Sequence, residues 1–396
     1  MIKEIANGIR YIGVDDEDLD LFESQYIIPE GISYNSYLIL DTKVCVMDTV
    51  DARKKEEWMA RLEEALDGRT PDYLVLSHVE PDHSGCVESF LEKYPGVTLV
   101  ATAMGLKFLG QFIPGRSFPS TFAVKDGDTL PLGSAHALKF LTAPMVHWPE
   151  VLVSLETHTE TLFSADAFGK FGALSRCGFL GSEDNDWACE ARRYYFNICG
   201  KYGPQVSSLL QKIGSEKVHT VAPLHGPVLT DFLSGDYLKL YSLWSSYTPE
   251  TEGVFVAYAS IHGGTEAVAL KLADILRAKG CPKVAVSDLT RDDMAEAVED
   301  AFRYGKMVVA ACSYDAGLFT PAYNFLHTLQ MKAYQNRQVA LIENGTWAPT
   351  AGRVMKELFT AMKNIHLVGD TVTIKSRYQE SDAAALEALA DAILSA

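Results

Sequence analysis

A short segment of the chain carries four side chains of the kinds that bind metal ions. It reads HVEPDHSG, residues 78–85, and follows the apolar run 73–76, which predicts a buried strand. Alternation along an extended chain would place His78, Glu80 and Asp82 on one side, where they could bind the same ion. The segment therefore indicates a metal site at the point where a strand opens into a loop.

Three further candidate ligands lie next to other apolar runs. His147 is in APMVHWP before a predicted strand, Asp166 is in LFSADAFG after another, and His225 is in APLHGP after a third. Each alone would more often be an ordinary polar loop residue. Together with the first segment they predict one metal site, in which a carboxylate could bridge two ions. The candidate metal-binding and catalytic residues are His78, Glu80, Asp82, His83, His147, Asp166 and His225.

The first segment resembles the H-x-H-x-D-H motif of the metallo-β-lactamase superfamily, with Glu80 at the second histidine position. A carboxylate there makes the site harder and more anionic, which favours iron or manganese over zinc. With His147, Asp166 and His225 added, the sequence resembles the flavodiiron proteins. Specifically, it resembles the A-type members, which join a metallo-β-lactamase-like di-iron domain to a flavodoxin-like FMN domain.

The resemblance implies a role for each ligand. One iron would be held by three residues: His78, Glu80 and His147. The other iron would be held by two residues: Asp82 and His225. Asp166 would bridge the irons. His83 is a variable ligand in the family, so the resemblance leaves open whether it binds iron here.

The second half of the chain alternates apolar runs with helical patterns. The predicted strands are 254–258, 283–286, 307–312, 338–343 and 365–368. The predicted helices start near Thr265 and cover 294–302, 322–331, 351–362 and 383–394. Five such units predict a flavodoxin-like, doubly wound, five-stranded parallel sheet, which binds ligands at the carboxyl ends of its strands.

Three loops at those carboxyl ends are candidates for binding FMN. Glycine lets the backbone approach a phosphate, and the start of a helix presents unpaired N–H groups to it. Tyr314 and Trp347 could stack on the isoalloxazine ring. The candidate cofactor-binding residues are Ser260, Ile261, His262, Gly263, Gly264, Thr265, Ser313, Tyr314, Asp315, Ala316, Gly317, Leu318, Asn344, Gly345, Thr346, Trp347 and Ala348.

The first half mixes strand pairs with helices. The predicted strands are 9–14, 37–40, 44–48, 73–76, 98–101, 138–141 and 150–155, with a helix at 54–66. This pattern suggests two sheets with helices outside but does not settle the topology. With the resemblance, it predicts an α/β and α+β protein whose first domain is a metallo-β-lactamase-like αβ/βα sandwich. The polar segment SSYTPETEG, residues 245–253, divides a di-iron domain, 1–248, from an FMN domain, 249–396.

Composition excludes several other classes of protein. A net charge of −17 disfavours nucleic acid as a partner. The seven cysteines include no C-x-x-C pair, which argues against a zinc ribbon or a rubredoxin-type iron site and favours free thiols. The amino terminus lacks the basic start and apolar run of a signal peptide, and no stretch is apolar enough to span a bilayer. We therefore expect a cytoplasmic protein.

The resemblance implies an oxidoreductase that reduces dioxygen to water, nitric oxide to nitrous oxide, or both. Electrons would come from a separate donor, rubredoxin or a reduced deazaflavin, and pass through FMN to the irons. The family pairs its subunits head to tail, which implies a homodimer or a dimer of dimers. Trp148 and Tyr195 are candidates for contacts with the ligands. Two alternatives are a dinuclear metal hydrolase fused to a flavodoxin, and an electron-carrier flavoprotein without gas reductase activity.

Overall fold

The computed structural model describes residues 2–396. Contacts within the chain divide it into two compact units, each made of two stretches of sequence. The amino-terminal unit consists of Met1–Tyr195 and Pro204–Ser242. The carboxy-terminal unit consists of Phe196–Gly203 and Leu243–Ala396. The assignment of di-iron and FMN functions to 1–248 and 249–396 stays a prediction.

The amino-terminal unit is built mainly from short strands. In chain order they are β1 (Lys3–Ala6), β2 (Ile9–Tyr11), β3 (Val14–Asp16), β4 (Leu21–Phe22), β5 (Tyr26–Ile27), β6 (Ile32–Tyr34), β7 (Tyr37–Leu40), β8 (Val44–Met47), β9 (Tyr73–Val75), β10 (Thr98–Thr102), β11 (Thr121–Val124), β12 (Thr129–Pro131), β13 (Ala137–Thr142), β14 (Leu152–Glu156), β15 (Thr161–Phe163) and β16 (Thr220–Ala222). Among the described residues they form two main sheets, ordered β1-β2-β7-β8-β9-β10-β11 and β12-β13-β14-β15-β16. Two small antiparallel ribbons pair β3 with β6 and β4 with β5. The two main sheets agree with the pattern predicted from the sequence.

Helices connect these strands and continue to Ser245. They are α1 (Lys55–Leu66), α2 (Pro81–Ser84), α3 (Val87–Lys93), α4 (Ala103–Phe112), α5 (Leu174–Cys177), α6 (Trp187–Ile198), α7 (Gly203–Gly214) and α8 (Tyr237–Ser245). The first of them shows why such segments are helical. Trp58 and Leu62 are buried four residues apart on one face, and Asp67 ends the helix in the left-handed conformation.

The core of the amino-terminal unit contains side chains from both main sheets. Ile39 and Cys45 from the first sheet share one apolar cluster with Phe140, Leu152 and Phe163 from the second. Burial of each large apolar side chain contributes roughly 1.5–3 kcal/mol to stability. This packing fixes the ends of the two sheets relative to each other, and the loops at those ends carry the candidate metal ligands.

The carboxy-terminal unit contains a parallel sheet. Its strands are β17 (Thr251–Ala259), β18 (Val284–Asp288), β19 (Tyr304–Tyr314), β20 (Gly317–Leu318), β21 (Arg337–Asn344), β22 (Ile365–Leu367) and β23 (Val372–Ile374). The main path runs β18-β17-β19-β21-β22, and each neighbouring pair is parallel, whereas β20 lies off this path and pairs antiparallel with β19. The helices are α9 (Gly264–Ala278), α10 (Met294–Arg303), α11 (Thr320–Met331), α12 (Ala351–Thr360) and α13 (Ala383–Ser395). This is the strand order 2-1-3-4-5 of a flavodoxin-like sheet, as predicted.

The fifth strand of this sheet differs from the prediction. The run 365–368 supplies only β22, and a second segment, β23, also pairs in parallel with β21. Gly369 adopts a left-handed turn between them, so the chain leaves the sheet and returns. As a result, the residues after Ile374 reach the carboxyl edge of the sheet, where the candidate FMN loops lie.

Candidate functional site

The predicted metal ligands come together in four loops at one end of the main sheets of the amino-terminal unit. These loops follow β9, connect β13 to β14, follow β15 and follow β16. The structure brings together all of the predicted ligands: His78, Glu80, Asp82, His83, His147, Asp166 and His225. They form two groups that share Asp166.

The first group contains His78, Glu80 and His147. Oε2 of Glu80 lies 3.1 Å from Nε2 of His78 and 3.2 Å from Nε2 of His147. Oδ2 of Asp166 lies 3.6 Å and 3.4 Å from the same two nitrogen atoms. Two imidazoles and two carboxylates therefore converge on one point.

The second group contains Asp82, His83 and His225. Oδ2 of Asp82 lies 3.3 Å from Nε2 of His83 and 3.3 Å from Nε2 of His225. Oδ1 of Asp166 lies 3.3 Å and 3.7 Å from these nitrogen atoms. Asp166 thus presents one oxygen to each group, which is the geometry of a bridging carboxylate. His83 has its Nε2 turned into the second group rather than away from it.

The alternation expected for residues 78–82 holds for His78 and Glu80, which meet in the first group, but is wrong for Asp82, which lies in a helical turn. The strand ends at Val75, and α2 begins at Pro81 because proline suits the first position of a helix. The turn of this helix separates Glu80 from Asp82, and each carboxylate therefore enters a different group. Two hydrogen bonds from the loop after β8 hold the segment: Ser77 N–H to Asp48 Oδ1 and Thr49 Oγ1 to the His83 carbonyl.

Hydrogen bonds orient two of the ligand imidazoles. Oε1 of Glu150 lies 2.6 Å from Nδ1 of His78 and also accepts the Val79 N–H at 3.2 Å. The carbonyl oxygen of Ser33 lies 2.7 Å from Nδ1 of His225. Partners of this kind keep the proton on Nδ1 and leave Nε2 available to a metal ion. Sequence reasoning missed Glu150; its signal was a carboxylate at the start of an apolar run beside His147.

Two of the candidate ligand carboxylates, those of Asp166 and Glu80, stay charged despite their burial. Burial raises the pKa of Asp166, but hydrogen bonds from His147 and His83 outweigh it and hold the pKa well below its ordinary value. Burial also raises the pKa of Glu80, but its contacts with His147 and His78 lower it to about 2. Ionised carboxylates beside imidazoles form a suitable environment for a multivalent cation.

Two buried polar atoms of the site have no hydrogen-bond partner among the described residues. They are Oδ1 of Asp82 and Nδ1 of His83. A buried acceptor without a partner is costly, and a bound cation would satisfy the carboxylate oxygen of Asp82. The donor set contains imidazole and carboxylate groups but no thiolate. A mixture of imidazole and carboxylate is the kind of ligand set that suits non-haem iron. The residues present therefore fit a di-iron centre.

Aromatic rings surround both groups. The ring of Trp148 packs edge to face on His78, with ring centroids 5.0 Å apart. The rings of Phe22 and Tyr194 pack on the His225 ring, with centroids 5.3 Å and 5.7 Å from its centroid. The predicted contact of Trp148 is therefore present, whereas Tyr195 packs on Tyr241 and its neighbour Tyr194 lies against the ligand.

A cleft of about 380 Å³ reaches the site from the surface. Its lining includes Glu80 from the first group, Asp82 from the second, and Glu23 from the turn between β4 and β5. Partial removal of water from the Glu23 carboxyl group, followed by the negative charge of Glu80, raises the pKa of Glu23. Sequence reasoning did not select Glu23, because nothing in the segment LFESQYI indicates a contact with residues near position 80.

The carboxy-terminal unit has a cavity of about 640 Å³ at the carboxyl edge of its sheet. The three predicted loops supply most of its lining: Ser260, Ile261, His262, Gly264, Thr265, Ser313, Tyr314, Asp315, Ala316, Asn344, Gly345, Thr346, Trp347 and Ala348. Three predicted residues do not line it: Gly263, Gly317 and Leu318. Four lining residues were not predicted: Cys312, Thr350, Ser376 and Arg377. The last two follow β23, the strand that the sequence pattern missed.

The polar groups of this cavity suit a phosphate and a planar ring. Ser260 Oγ is buried and has no hydrogen-bond partner among residues 2–396. It lies in the loop that leads into α9, where the free N–H groups of a helix start favour an anion. Tyr314 and Trp347 are exposed, with 50% and 82% of their surface accessible, so their rings are free to stack on a ligand. The residues present therefore fit FMN.

Comparison with known proteins agrees with this geometry. Residues 32–226 match the family model for the ODP family beta lactamase. A putative diflavin flavoprotein A 1 of Nostoc sp. is 30% identical over 86% of this chain, and the match covers 58% of that relative. The chain thus spans less than two thirds of that protein's length. An anaerobic nitric oxide reductase flavorubredoxin of Vibrio vulnificus is 26% identical over 88% of this chain and 70% of its own length.

A solved structure extends the likeness to almost the whole fold. Rubredoxin oxygen:oxidoreductase from Desulfovibrio gigas matches with a TM-score of 0.93 and 24% identity, covering 99% of this chain and 98% of that one. The two-sheet unit with its histidine and carboxylate donors, joined to a parallel sheet with a ligand cavity, defines a metallo-β-lactamase-like protein with a flavodoxin-like unit. The chain belongs to the flavodiiron protein family.

This membership confirms the family and the fold class predicted from the sequence. Flavodiiron proteins carry FMN and a non-haem di-iron site, so the predicted cofactors are confirmed as well. No helix within residues 2–396 is long and apolar enough to cross a membrane.

Proposed function

We propose that the chain is a flavodiiron oxidoreductase that reduces dioxygen to water, nitric oxide to nitrous oxide, or both, with electrons that a separate donor delivers through FMN. The observation that carries the proposal is Asp166, whose two carboxylate oxygens each face a separate group of histidine and carboxylate donors. The name of the Vibrio vulnificus relative supports nitric oxide as a substrate. The name of the Desulfovibrio gigas protein supports oxygen.

The two donor groups support a specific assignment of ligands. The first iron is held by three residues besides the shared carboxylate: His78, Glu80 and His147. The second is held by three others: Asp82, His83 and His225. Asp166 bridges the two. We include His83 because its Nε2 is 3.3 Å from Asp82 Oδ2 and 3.3 Å from Asp166 Oδ1, within the second group.

The carboxy-terminal cavity is the proposed FMN site. Ser260 and the start of α9 bind the phosphate, and Tyr314 and Trp347 stack on the ring system. When bound, FMN and the iron pair supply two reducing equivalents each, so that together they match the four that dioxygen requires. Ser376 and Arg377 contribute a further wall, which adds a positive charge beside an anionic cofactor.

The chain's own residues prepare the gas-binding region. The cleft is lined by Glu80 and Asp82, so a small molecule inside it meets one ligand from each group. Trp148 and Phe22 pack on ligand imidazoles and restrict their rings. Glu150 holds His78 in the orientation that leaves Nε2 free. These contacts organise the site before substrate arrives.

The donor and the assembly are also proposals. Rubredoxin is the donor that the name of the Desulfovibrio gigas protein supports, and a reduced deazaflavin is the other candidate. A head-to-tail homodimer, alone or as a dimer of dimers in the cytoplasm, would bring the FMN of one subunit to the irons of another.

The test is an anaerobic electron count followed by rapid mixing. The purified protein is fully reduced, the electrons taken up per chain are counted, and the sample is mixed separately with dioxygen and with nitric oxide while flavin absorbance is followed. Uptake of four electrons with fast reoxidation by at least one gas supports the proposal, and the faster gas names the substrate. Uptake of only two electrons with slow reoxidation by both gases would contradict it and favour a hydrolase or an electron carrier.

A further inference from the structure

Glu23 lies beside the first donor group, although it belongs to neither the metal-binding motif nor the ligand set implied by the family. Its carboxylate lies within 4.8 Å of the ligand atoms of Glu80 and His147. We propose that Glu23 is an additional ligand of the iron held by these two residues. The inference rests on the di-iron site proposed above.

Glu23 and Glu80 are two carboxylates that lie next to each other in the cleft. Glu23 is exposed and Glu80 is half-buried in the same cleft, so Glu23 brings a second carboxylate next to Glu80, and two like charges at this separation repel each other. A cation placed between them converts the repulsion into attraction. His147 completes the set with a nitrogen donor, so the three residues offer the mixed oxygen and nitrogen ligands that iron accepts.

The turn that carries Glu23 is held next to the donor groups. Glu23 lies in the hairpin between β4 and β5, and a residue on each side of the turn packs on a buried ring. Phe22 is only 5% exposed and packs edge to face on His225 at 5.3 Å. Tyr26 packs on Phe171 at 6.0 Å. The hairpin is therefore held against the metal centre, and the Glu23 carboxylate is already beside it.

The backbone of the turn is unusual for its sequence. Glu23 and Ser24 have φ values of 48° and 57°, in the left-handed region that glycine and asparagine normally occupy. The Gln25 N–H closes the turn on the Phe22 carbonyl at 3.0 Å. This conformation costs energy at two successive residues, and such cost is commonly found where a side chain must be held in one place for function.

The position of Glu23 in the cleft determines what its removal should change. Glu23 and Glu80 both line the cleft through which a small molecule would reach the irons. A Glu23 carboxylate on the iron would occupy the face that opens to the cleft, so an incoming anion or gas must compete with it. Removal of Glu23 should therefore weaken metal binding and, at the same time, open a position for an external ligand.

The experiment compares the wild-type chain with Glu23→Ala, Glu23→Gln and the control Glu30→Gln. Glu30 is exposed in the segment after the same hairpin, so its variant removes an equal charge without touching the donor groups. Holoprotein is equilibrated anaerobically with buffered Fe²⁺, and bound iron is measured by atomic spectroscopy. Mössbauer spectra are recorded, and azide is titrated into the oxidised protein as a probe of open iron positions.

Loss of a residue that merely supports a metal ligand costs roughly 10–100-fold in affinity, so we expect Glu23→Ala to weaken one of the two iron sites by at least about tenfold. Its spectrum should change for one iron only, and azide should bind at least about tenfold more tightly. Glu30→Gln should match the wild type. Equal iron affinity, spectra and azide binding in all four proteins would overturn the inference while leaving the di-iron site in place. A wild-type protein that binds no iron would instead overturn both proposals.

Discussion

Oε1 of Glu150 lies 2.6 Å from Nδ1 of His78, on the opposite side of the imidazole from the donor group. Both side chains are buried, with 3% of Glu150 and none of His78 exposed. A carboxylate in this position fixes the tautomer of the ring and makes Nε2 a stronger donor to a metal. The proposed metal centre would therefore depend on a residue that is not itself a candidate ligand.

Replacement of Glu150 should weaken iron binding without changing the ligand set. We expect Glu150→Ala to lower the affinity of the first group roughly 10–100-fold. Glu150→Gln should lose less, because the amide oxygen can still accept the Nδ1 proton. Iron per chain after anaerobic dialysis at fixed free Fe²⁺ measures the effect. Glu64→Ala, on the exposed face of α1, is the control; equal iron retention in all of these proteins would contradict the prediction.

Asp166 is shared between the two groups, so we expect its removal to affect iron binding differently from removal of Glu80 or Asp82. Asp166→Ala should lose iron from both groups, because each contains one of its oxygens. Glu80→Ala and Asp82→Ala should each affect mainly their own group. Iron analysis and FMN absorbance on the same samples provide the check. All three variants should keep FMN, and iron retained in full by Asp166→Ala or Glu80→Ala would contradict the assigned ligands.

Two neighbouring glycines should control FMN binding for different reasons. A Cβ on Gly264 would lie 2.2 Å from the carbonyl oxygen of Ser376, so Gly264→Ala should displace the loop after β23. Gly263 has room for a side chain but adopts φ +80°, so Gly263→Val should strain the start of α9 by roughly 1–2 kcal/mol. Both variants should release FMN and keep iron, as measured by flavin fluorescence and metal content.

The control for this pair is Gly280→Val. Gly280 has φ +84° and no atom within 4 Å of an added Cβ, and it follows the other end of α9. The variant therefore carries similar backbone strain away from the cavity and should keep its FMN. Normal flavin content in Gly264→Ala and Gly263→Val would remove these loops from the proposed cofactor site.

Buried thiols should resist modification until the chain unfolds. Burial raises the pKa of Cys86 to about 12. Because the thiolate is the reactive form, the Cys86 thiol stays protonated and reacts slowly near neutral pH. Cys281 is partly exposed and should react faster than Cys86. Peptide mapping after brief alkylation checks the order, and labelling of Cys86 as fast as Cys281 in the native protein would contradict it.

Much of the fold was predictable because its apolar periods are regular. The strand at 37–40 and the helices around Thr265 and at 383–394 lie within one residue of the predicted bounds at their starts or ends. The strand Val372–Ile374 was missed because three residues with a central threonine carry no clear period. Its absence from the prediction also hid Ser376 and Arg377, which line the cofactor cavity only because that strand returns to the sheet.

The candidate metal site, like the fold, could be predicted from the sequence only in part. The candidate ligands were predictable because each is a histidine or carboxylate next to a strand. Their division into two groups was not, because it depends on α2 beginning at Pro81. Glu150, Ser33 and Glu23 lie far from the motif in sequence or lack any special residue type. Only the packing of the two sheets brings them to the ligands.

The two oxygens of Asp166 have a further consequence for how the protein acquires its metal. In the proposed centre, an ion bound in one group would fix the carboxylate plane and so prepare the oxygen that faces the other group. Occupancy of the two positions would therefore be thermodynamically coupled, and by linkage each ion would change the affinity for the other by the same factor. Half-filled molecules would then be a separate population with their own iron affinity.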